Sequence, residues 1–273
     1  MRNEVDFAAL ESVLEIINKK FGYDFRDYAK ASLVRRVNKF LDDHQIDDIY
    51  ALKYFLLNRE GAFQHFLQEI TVNVTELFRD PLYYLALRKK IIPALSSYPI
   101  IKIWHAGCSS GEEVFSMAIL LHEAGLLQRT RIYATDINPL NLEKAKKGIL
   151  PLKSMKEFTA NYIQAGGVQD FADYYTAKYN YAIIKDFLRQ SIVFSQHNLV
   201  VDHPFNEFQF ISCRNVMIYF NRKLQNRALQ LFSDSLAVRG FLGIGLKETL
   251  SFSSVKNDFD IIDNQLKIYR KRG

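Results

Sequence analysis

The sequence is poor in cysteine and in long hydrophobic runs, and each shortage excludes a class of protein. Only two cysteines, Cys108 and Cys213, occur in 273 residues. A disulfide-stabilised secreted domain is therefore not expected, and we predict reduced thiols in a cytoplasmic protein. Uncharged runs reach about a dozen residues, which is too short for a membrane-spanning helix. The first residues, MRNEVDFAALES, carry three acids and no apolar core, unlike a secretory signal.

The chain also lacks histidine and cysteine clusters with metal-ligand spacing, so no metal site is predicted. Its net charge of +6 is modest and favours an acidic partner without indicating nucleic acid. What is present is ordinary for a globular protein, with 48% hydrophobic and 24% charged residues. The length allows one large domain, or one medium and one small domain.

A small-residue loop between a predicted strand and a predicted helix organises the rest of the chain. Residues 101–113, IKIWHAGCSSGEE, end an apolar strand in a loop of glycine and serine. Gly107 and Gly111 allow a sharp turn that exposes backbone to a ligand. The following helix begins with Glu112 and Glu113. This order of elements is typical of nucleotide sites at the carboxyl edge of an α/β sheet, although an ordinary strand-to-helix turn is the alternative.

The loop is not of a phosphate-binding type, because it contains neither GxGxxG nor Gly-Lys-Ser/Thr. Acids in the first helical turn would repel a pyrophosphate and favour a positively charged nucleoside. S-adenosylmethionine, with its sulfonium and ammonium groups, has this property. Asp136 lies 25 residues after Gly111, at the end of the next predicted strand. An acid at that place can accept hydrogen bonds from both hydroxyls of a ribose, so the two features together predict an adenosine-type site.

Two later strands are each predicted to end at an asparagine, Asn198 and Asn215. Such a residue can contact the amino edge of adenine or close the methyl-donor pocket, and a simple turn residue is the alternative. Strands that alternate with helices predict a largely parallel, doubly wound α/β sheet. Other elements predicted outside the N-terminal region are a helix at 83–94, a helix at 222–238, a loop containing Asp258, Asp260 and Asp263, and a last strand at 265–270.

Helical periodicity predicts a small α-helical domain over residues 1–75. The helices are expected at 7–21, 28–41, 47–57 and 61–70. The second helix carries Arg35, Arg36 and Lys39 away from its apolar positions, and seven basic residues face two acids between positions 19 and 39. We interpret this basic face as a docking surface for a carboxylate-rich partner, with a merely solvated face as the alternative.

Residues 152–190 interrupt the alternation of strands and helices. The stretch is rich in tyrosine among alternating polar residues and is strand-prone, which predicts a small inserted antiparallel sheet. An exposed edge of such a sheet could capture an extended peptide, and a purely structural role is the alternative.

Five motifs in a fixed order resemble the CheR-type chemoreceptor glutamate O-methyltransferases, over the chain from about Gly22 to the C-terminus. They are GYDFRDY (22–28) with Arg35-Arg36, NVTELFRDP (73–81), GCSSGEE (107–113), ATDINPLNLEKAKKGI (134–149) and CRNVMIYFN (213–221). No single motif is specific, but five in the order of the family are.

The resemblance implies a fold, a donor and a partner. The fold would be a class I methyltransferase-like doubly wound sheet at residues 76–273, with an N-terminal helical domain and a small inserted antiparallel β-subdomain. The methyl donor would be S-adenosylmethionine, leaving S-adenosylhomocysteine as product. The partners would be cytoplasmic domains of chemoreceptors. We expect a monomer, with no nucleic acid bound and no membrane insertion.

The resemblance also assigns roles to residues at matching positions. Arg79 and Tyr219 would lie near the transferring methyl and position the substrate carboxylate, so they are the expected catalytic residues. Arg35, Arg36 and Lys39 would dock the receptor. The implied donor site comprises Asn73, Thr75, Arg79, Gly107, Glu112, Asp136, Asn198, Leu199, Asn215 and Val216.

The chain departs from the family at two places. Val114 replaces a proline, which should alter only the start of the helix. Leu246-Lys247 replaces the His-Ser that the family commonly has before Glu248, at the far edge of the sheet. This second departure concerns only the residues that line the substrate side.

Three other functions stay open on sequence alone. A methyltransferase for another protein or a small carboxylate would share every donor residue. A non-catalytic adapter would bind the donor and transfer nothing. A nucleic-acid methyltransferase would need an Asn/Asp-Pro-Pro-Tyr/Phe pocket for a flipped base, which the sequence lacks.

Overall fold

The computed structural model describes residue 5, residues 7–71 and residues 74–273. Its N-terminal part consists of four helices, α1 (Phe7–Phe21), α2 (Lys30–Asp43), α3 (Ile49–Asn58) and α4 (Ala62–Ile70). Apolar residues recur every three or four positions, so each helix buries one face; in α1 these are Leu10, Leu14 and Ile17. None of the described helices has the length and apolarity to cross a membrane.

The helix predicted from Tyr28 begins two residues later, at Lys30. Tyr28 instead forms an isolated antiparallel bridge with Phe220, and the Ala29 N–H donates to the Tyr219 carbonyl at 2.8 Å. These backbone contacts attach the start of α2 to a distant loop of the chain. They place α2 beside the site described below.

The segment after α4 is irregular. The helix predicted at 83–94 begins at Pro81 and is interrupted, because α5 (Pro81–Ala86) and α6 (Ile92–Leu95) are joined by a π-helical turn, Leu87–Ile91. The predicted domain boundary between residues 75 and 76 falls before α5 and stays a prediction.

A seven-stranded sheet forms the rest of the core. Its strands are β1 (Ile101–Ala106), β2 (Thr130–Asp136), β6 (Ile192–Gln196), β7 (Phe208–Cys213), β8 (Leu236–Ile244), β9 (Phe259–Asp263) and β10 (Ile268–Lys271). Their order is β6-β2-β1-β7-β8-β10-β9. The first five are parallel, and β10 pairs antiparallel with both β8 and β9.

Helices cover both faces of this sheet. They are α7 (Glu112–Glu123), α8 (Pro139–Lys147) and α11 (Arg222–Ser235). Strand β1 is buried on both sides: Ile101 and Ile103 pack in one core with α7, while Trp104 and Ala106 pack in the other with α11. Near-continuous apolar strands are typical of parallel sheets covered in this way. The predicted doubly wound sheet of the class I methyltransferase type is confirmed.

The C-terminal elements differ from the prediction. Helix α11 ends at Ser235 rather than at 238, because β8 begins at the next residue. The predicted loop with Asp258, Asp260 and Asp263 contains β9, an edge strand whose Asp260 is exposed. The last strand begins at Ile268 rather than at 265, since Lys267 has a left-handed φ of 57°.

The inserted antiparallel sheet is present, and it begins earlier than residue 152. Its strands are β3 (Ile149–Pro151), β4 (Tyr175–Lys178) and β5 (Tyr181–Ile184), in the order β3-β5-β4. Helices α9 (Met155–Gln164) and α10 (Asp186–Arg189) flank them. Glu123 at the end of α7 accepts hydrogen bonds from the hydroxyls of Tyr162 and Tyr174. These contacts anchor the insertion to α7.

Candidate active site at the carboxyl edge of the sheet

A cavity of about 1110 Å³, its open mouth included, lies at the carboxyl edge of the parallel strands. The loops after β1, β2, β6 and β7 line it, and residues of α2 and of the segment before α5 close the remaining side. Strand β1 lies between β2 and β7, where the winding of the sheet reverses direction. Open α/β sheets bind their ligands at such a switch point.

Gly107 brings the loop after β1 against the loop after β7. Its φ is +79°, and its N–H donates to the Thr135 carbonyl at 2.8 Å. A Cβ at this position would lie 2.4 Å from Cγ2 of Val216, well inside the roughly 3.5 Å of a normal carbon–carbon contact. Only glycine fits, so backbone is left bare in the cavity beside Val216.

Asp136 ends β2 and lines the same cavity. Its carboxylate accepts hydrogen bonds from the N–H of Ser109 at 2.8 Å, the N–H of Asn138 at 2.9 Å and the Nδ2 of Asn141 at 3.2 Å. Burial raises the pKa of Asp136 above its ordinary value, although these donors lower it. A carboxylate has about four acceptor positions, and these three donors are the ones that the described residues supply, which leaves one position for a ligand hydroxyl.

The two acids at the start of α7 differ in their surroundings. Glu112, the predicted donor ligand, lies outside the cavity lining and accepts a hydrogen bond from the Ser110 hydroxyl at 2.8 Å. Burial raises the pKa of Glu112 to about 7. Glu113 lines the cavity instead. Burial would raise its pKa, but the Arg214 guanidinium and His105 hold the pKa of Glu113 at about 2. A contact between Glu112 and the donor stays a prediction.

The structure separates the three predicted docking residues. Arg35 and Lys39 are exposed one turn apart on α2. Arg36 faces the other way: its guanidinium lies 4.3 Å from the centre of the Tyr219 ring and donates to the Ile70 carbonyl. Successive helical residues are rotated by about 100°, whereas positions four apart share a face. Arg36 therefore lines the cavity rather than the exposed face that carries Arg35 and Lys39, and its predicted role in docking stays a prediction.

Arg79 and Tyr219, the predicted catalytic residues, both line the cavity. The Arg79 Nη1 donates to the Val74 carbonyl at 3.2 Å. Thr75 lines the cavity as well. Asn73, the remaining donor residue predicted from this segment, lies outside the described residues.

The strand-end asparagines and the residues after them also line the cavity, as four predicted positions: Asn198, Leu199, Asn215 and Val216. Buried Glu248 stabilises the loop after β7, because its carboxylate accepts hydrogen bonds from the N–H groups of Asn215 at 3.3 Å and Ile218 at 3.2 Å. Asn215 has a left-handed φ of 61°, which this acid helps to maintain.

Sequence reasoning missed several lining residues, among them Tyr28, Glu113 and Arg214. Each lies inside a motif quoted above, one residue or a few residues from a position that was named. Motif membership could therefore have identified them. Nothing in the local pattern indicates which of two adjacent acids, Glu112 or Glu113, faces the ligand.

These residues fit a sulfonium nucleoside. Gly107 presents bare backbone to the cavity and packs closely against Val216, and Asp136 offers an acceptor position for a ribose hydroxyl. The fold and the site define the class of S-adenosylmethionine-dependent methyltransferases. Two family models then agree along the chain: CheR methyltransferase, all-alpha domain, at residues 8–71, and CheR methyltransferase, SAM binding domain, at residues 73–268. The chain belongs to the CheR methyltransferase family, and S-adenosylmethionine is its methyl donor.

Similar proteins extend over nearly the whole chain. A protein of Pseudomonas putida named "Putative methyltransferase Cher3" is 49% identical over 259 residues, covering 95% of each chain. A chemotaxis protein methyltransferase of Listeria innocua is 30% identical, over 86% of this chain and 87% of its own. The chemotaxis protein methyltransferase of Salmonella typhimurium is 28% identical, over 93% of this chain and 87% of its own.

Proposed function

We propose that the protein transfers a methyl group from S-adenosylmethionine to glutamate side chains of chemoreceptors, as a protein-glutamate O-methyltransferase of chemotaxis. Relatives named chemotaxis protein methyltransferase support the pathway. The cationic side of the cavity supports the carboxylate substrate.

The observation that carries this proposal is the pair of arginines in the cavity. Arg36 contacts a backbone carbonyl and an aromatic ring, and Arg79 contacts a backbone carbonyl. Among the described residues, neither arginine has a carboxylate within ion-pair distance. Burial lowers the pKa of Arg36, because a partly buried cation loses water. A guanidinium group that has lost part of its water is most stable beside an anion, and the planar fork of arginine matches a carboxylate. A substrate glutamate would supply the missing anion.

The chemistry needs positioning more than it needs a proton acceptor. When bound, S-adenosylmethionine supplies a methyl on a cationic sulfur; a carboxylate oxygen forms a bond to that methyl, and the sulfur keeps the electron pair of the broken bond. A glutamate with a pKa of about 4.3 is already ionised at neutral pH, so no general base is required. Arg79 aligns the carboxylate, and Tyr219 and Arg36 close the cavity over it. Alignment of this kind can contribute several kcal/mol.

Receptor docking falls to the outer face of α2. Arg35 and Lys39 remain exposed there and can attract the glutamate-rich helices of a receptor. The substrate would be reached in the cytoplasm, by a protein that acts as a monomer.

Methyl transfer to receptor-containing membranes tests the proposal. The protein is incubated with methyl-labelled donor and membranes that contain chemoreceptors, and the labelled protein is then treated with mild alkali. We expect label on the receptor that alkali releases, because esters hydrolyse under these conditions. Alkali-stable label would indicate another acceptor group. Donor binding without any transfer would indicate a non-catalytic adapter, and transfer only to small carboxylates would indicate a different substrate.

A further inference from the structure

Arg79 lies between two residues with left-handed backbone. The φ of Phe78 is 53° and that of Asp80 is 57°, a conformation that residues with side chains seldom adopt. Phe78 is buried, and its N–H donates to the Ser116 hydroxyl at 2.8 Å. These contacts fix the chain before Arg79. After Arg79 the chain enters α5, and the side chain of Asp80 attaches it to the rest of the molecule.

A buried arginine makes that second attachment. Arg214 Nη2 donates to Asp80 Oδ2 at 2.5 Å, and Nη1 donates to the carbonyl oxygen of Arg79 at 3.3 Å. Nη1 also donates to Glu113 Oε2 at 3.1 Å, and the guanidinium lies 4.1 Å from the centre of the Tyr83 ring. The Arg214 side chain has no exposed surface. It is held on one side by Glu113 and Tyr83, and on the other it holds the Arg79 carbonyl oxygen and the Asp80 carboxylate.

Asp80 is used for this contact in preference to a local one. It occupies the N-cap position of α5, and aspartate is among the residues that cap helices best. Its side chain nevertheless makes no capping hydrogen bond and pairs with Arg214 instead. The pair joins the segment before α5 to the end of β7, 134 positions further along the chain.

We propose that Arg214 is a positioning residue for methyl transfer, which acts through Asp80 and the Arg79 carbonyl to aim the Arg79 guanidinium into the donor cavity. Glu113 serves by holding Arg214. The inference rests on the proposed function, in which Arg79 aligns the substrate carboxylate. It adds Arg214, Asp80 and Glu113 to the machinery as residues that act through Arg79, although Arg214 and Glu113 also line the cavity.

Asp80→Asn tests the proposal without leaving a buried charge unpaired, because Arg214 keeps Glu113. We expect kcat for receptor methylation to fall about tenfold or more, since misplacement by about 1 Å can cost up to a hundredfold. The KM for the donor should stay within about twofold. In an Arg79→Ala background, Asp80→Asn should lower kcat no further. Amide hydrogen exchange at residues 77–80 should accelerate about tenfold in Asp80→Asn, with no donor bound.

The matched control is Asp263→Asn, which removes a 2.8 Å ion pair to Lys90, and neither residue lines the cavity. It should keep wild-type kcat and exchange. An equal loss of kcat from Asp80→Asn with and without Arg79 would overturn the positioning role, as would unchanged exchange at residues 77–80. If the wild-type protein methylates no receptor, but Asp80→Asn still accelerates exchange at residues 77–80, the proposed function is overturned and the backbone attachment is retained.

Discussion

Replacement of Gly107 by alanine tests the geometry of the donor cavity most sharply. Two costs add at this position. The first is backbone strain at φ +79°, roughly 1–2 kcal/mol for a residue with a Cβ. The second is the contact of 2.4 Å with Val216 Cγ2, whose relief requires a shift of about 1 Å and adds about 1–3 kcal/mol of overpacking. Together they predict a loss of about 2–5 kcal/mol in the free energy of unfolding.

Gly22→Ala separates the two costs. Its φ of +78° matches that of Gly107, and a Cβ there would meet nothing within 4 Å. This variant should lose only the backbone cost, so the two variants should differ by about 1–3 kcal/mol in urea unfolding. In Gly107→Ala combined with Val216→Ala the nearest methyl groups are gone, and that difference should largely disappear.

Calorimetric titration with S-adenosylhomocysteine completes the test. Gly107→Ala should weaken binding, because the displaced Val216 moves into the cavity, while Gly22→Ala should bind as the wild type does. Equal unfolding free energies for the two variants, together with unchanged affinity in Gly107→Ala, would refute the close approach of the two loops.

Three further predictions concern charged groups. The pKa of Glu112 in the folded protein, about 7, lies above its ordinary value of 4.5; the folded state thus binds the proton more tightly, and stability is lost as pH rises from 4.5 to 7. Glu112→Gln should therefore gain up to about 3 kcal/mol above pH 7 and nothing below pH 4, measured by urea unfolding across that range. Asp136→Asn should weaken S-adenosylhomocysteine binding by about tenfold to a hundredfold, as expected for a lost hydrogen bond to a charged acceptor. Because burial raises the pKa of Asp136, wild-type affinity should fall on acidification, and a flat pH profile would contradict the role. Arg35→Glu with Lys39→Glu should slow receptor methylation at low salt and less at high salt; unchanged low-salt rates would exclude that docking face.

The fold could be predicted from the sequence where local signals agree with the global arrangement. Asn138 and Pro139 mark the start of α8, and Gly148 marks its end with a φ of +60°. The apolar run of β1 and the glycine loop after it predicted a central strand of the sheet. Short edge elements were harder: β9 contains two aspartates and therefore resembles a loop. In the structure Asp260 is exposed, while Asp263 pairs with Lys90 and accepts a hydrogen bond from the N–H of Gln265.

The sequence predicted which residues form the site, but it could not predict the directions in which their side chains point. Eight of the ten implied donor residues line one cavity, since the carboxyl ends of parallel strands meet at one edge. The orientation of Arg36 could not be predicted, because it depends on how α2 is attached to residues 219–220 through the Tyr28 bridge. The choice between Glu112 and Glu113 depends on Arg214, which is about 100 positions away in sequence.

Mass spectrometry of a chemoreceptor fragment tests the central claim most directly. The fragment is incubated with S-adenosylmethionine and either the wild-type protein or Arg79→Ala, whose donor affinity is checked by calorimetry. Methyl esters on glutamate side chains are the predicted result, and Arg79→Ala should lower their yield much more than it lowers donor affinity. Methyl groups on nitrogen atoms, or no methyl groups from a protein that binds the donor, would contradict a cavity built to present a carboxylate to the methyl group.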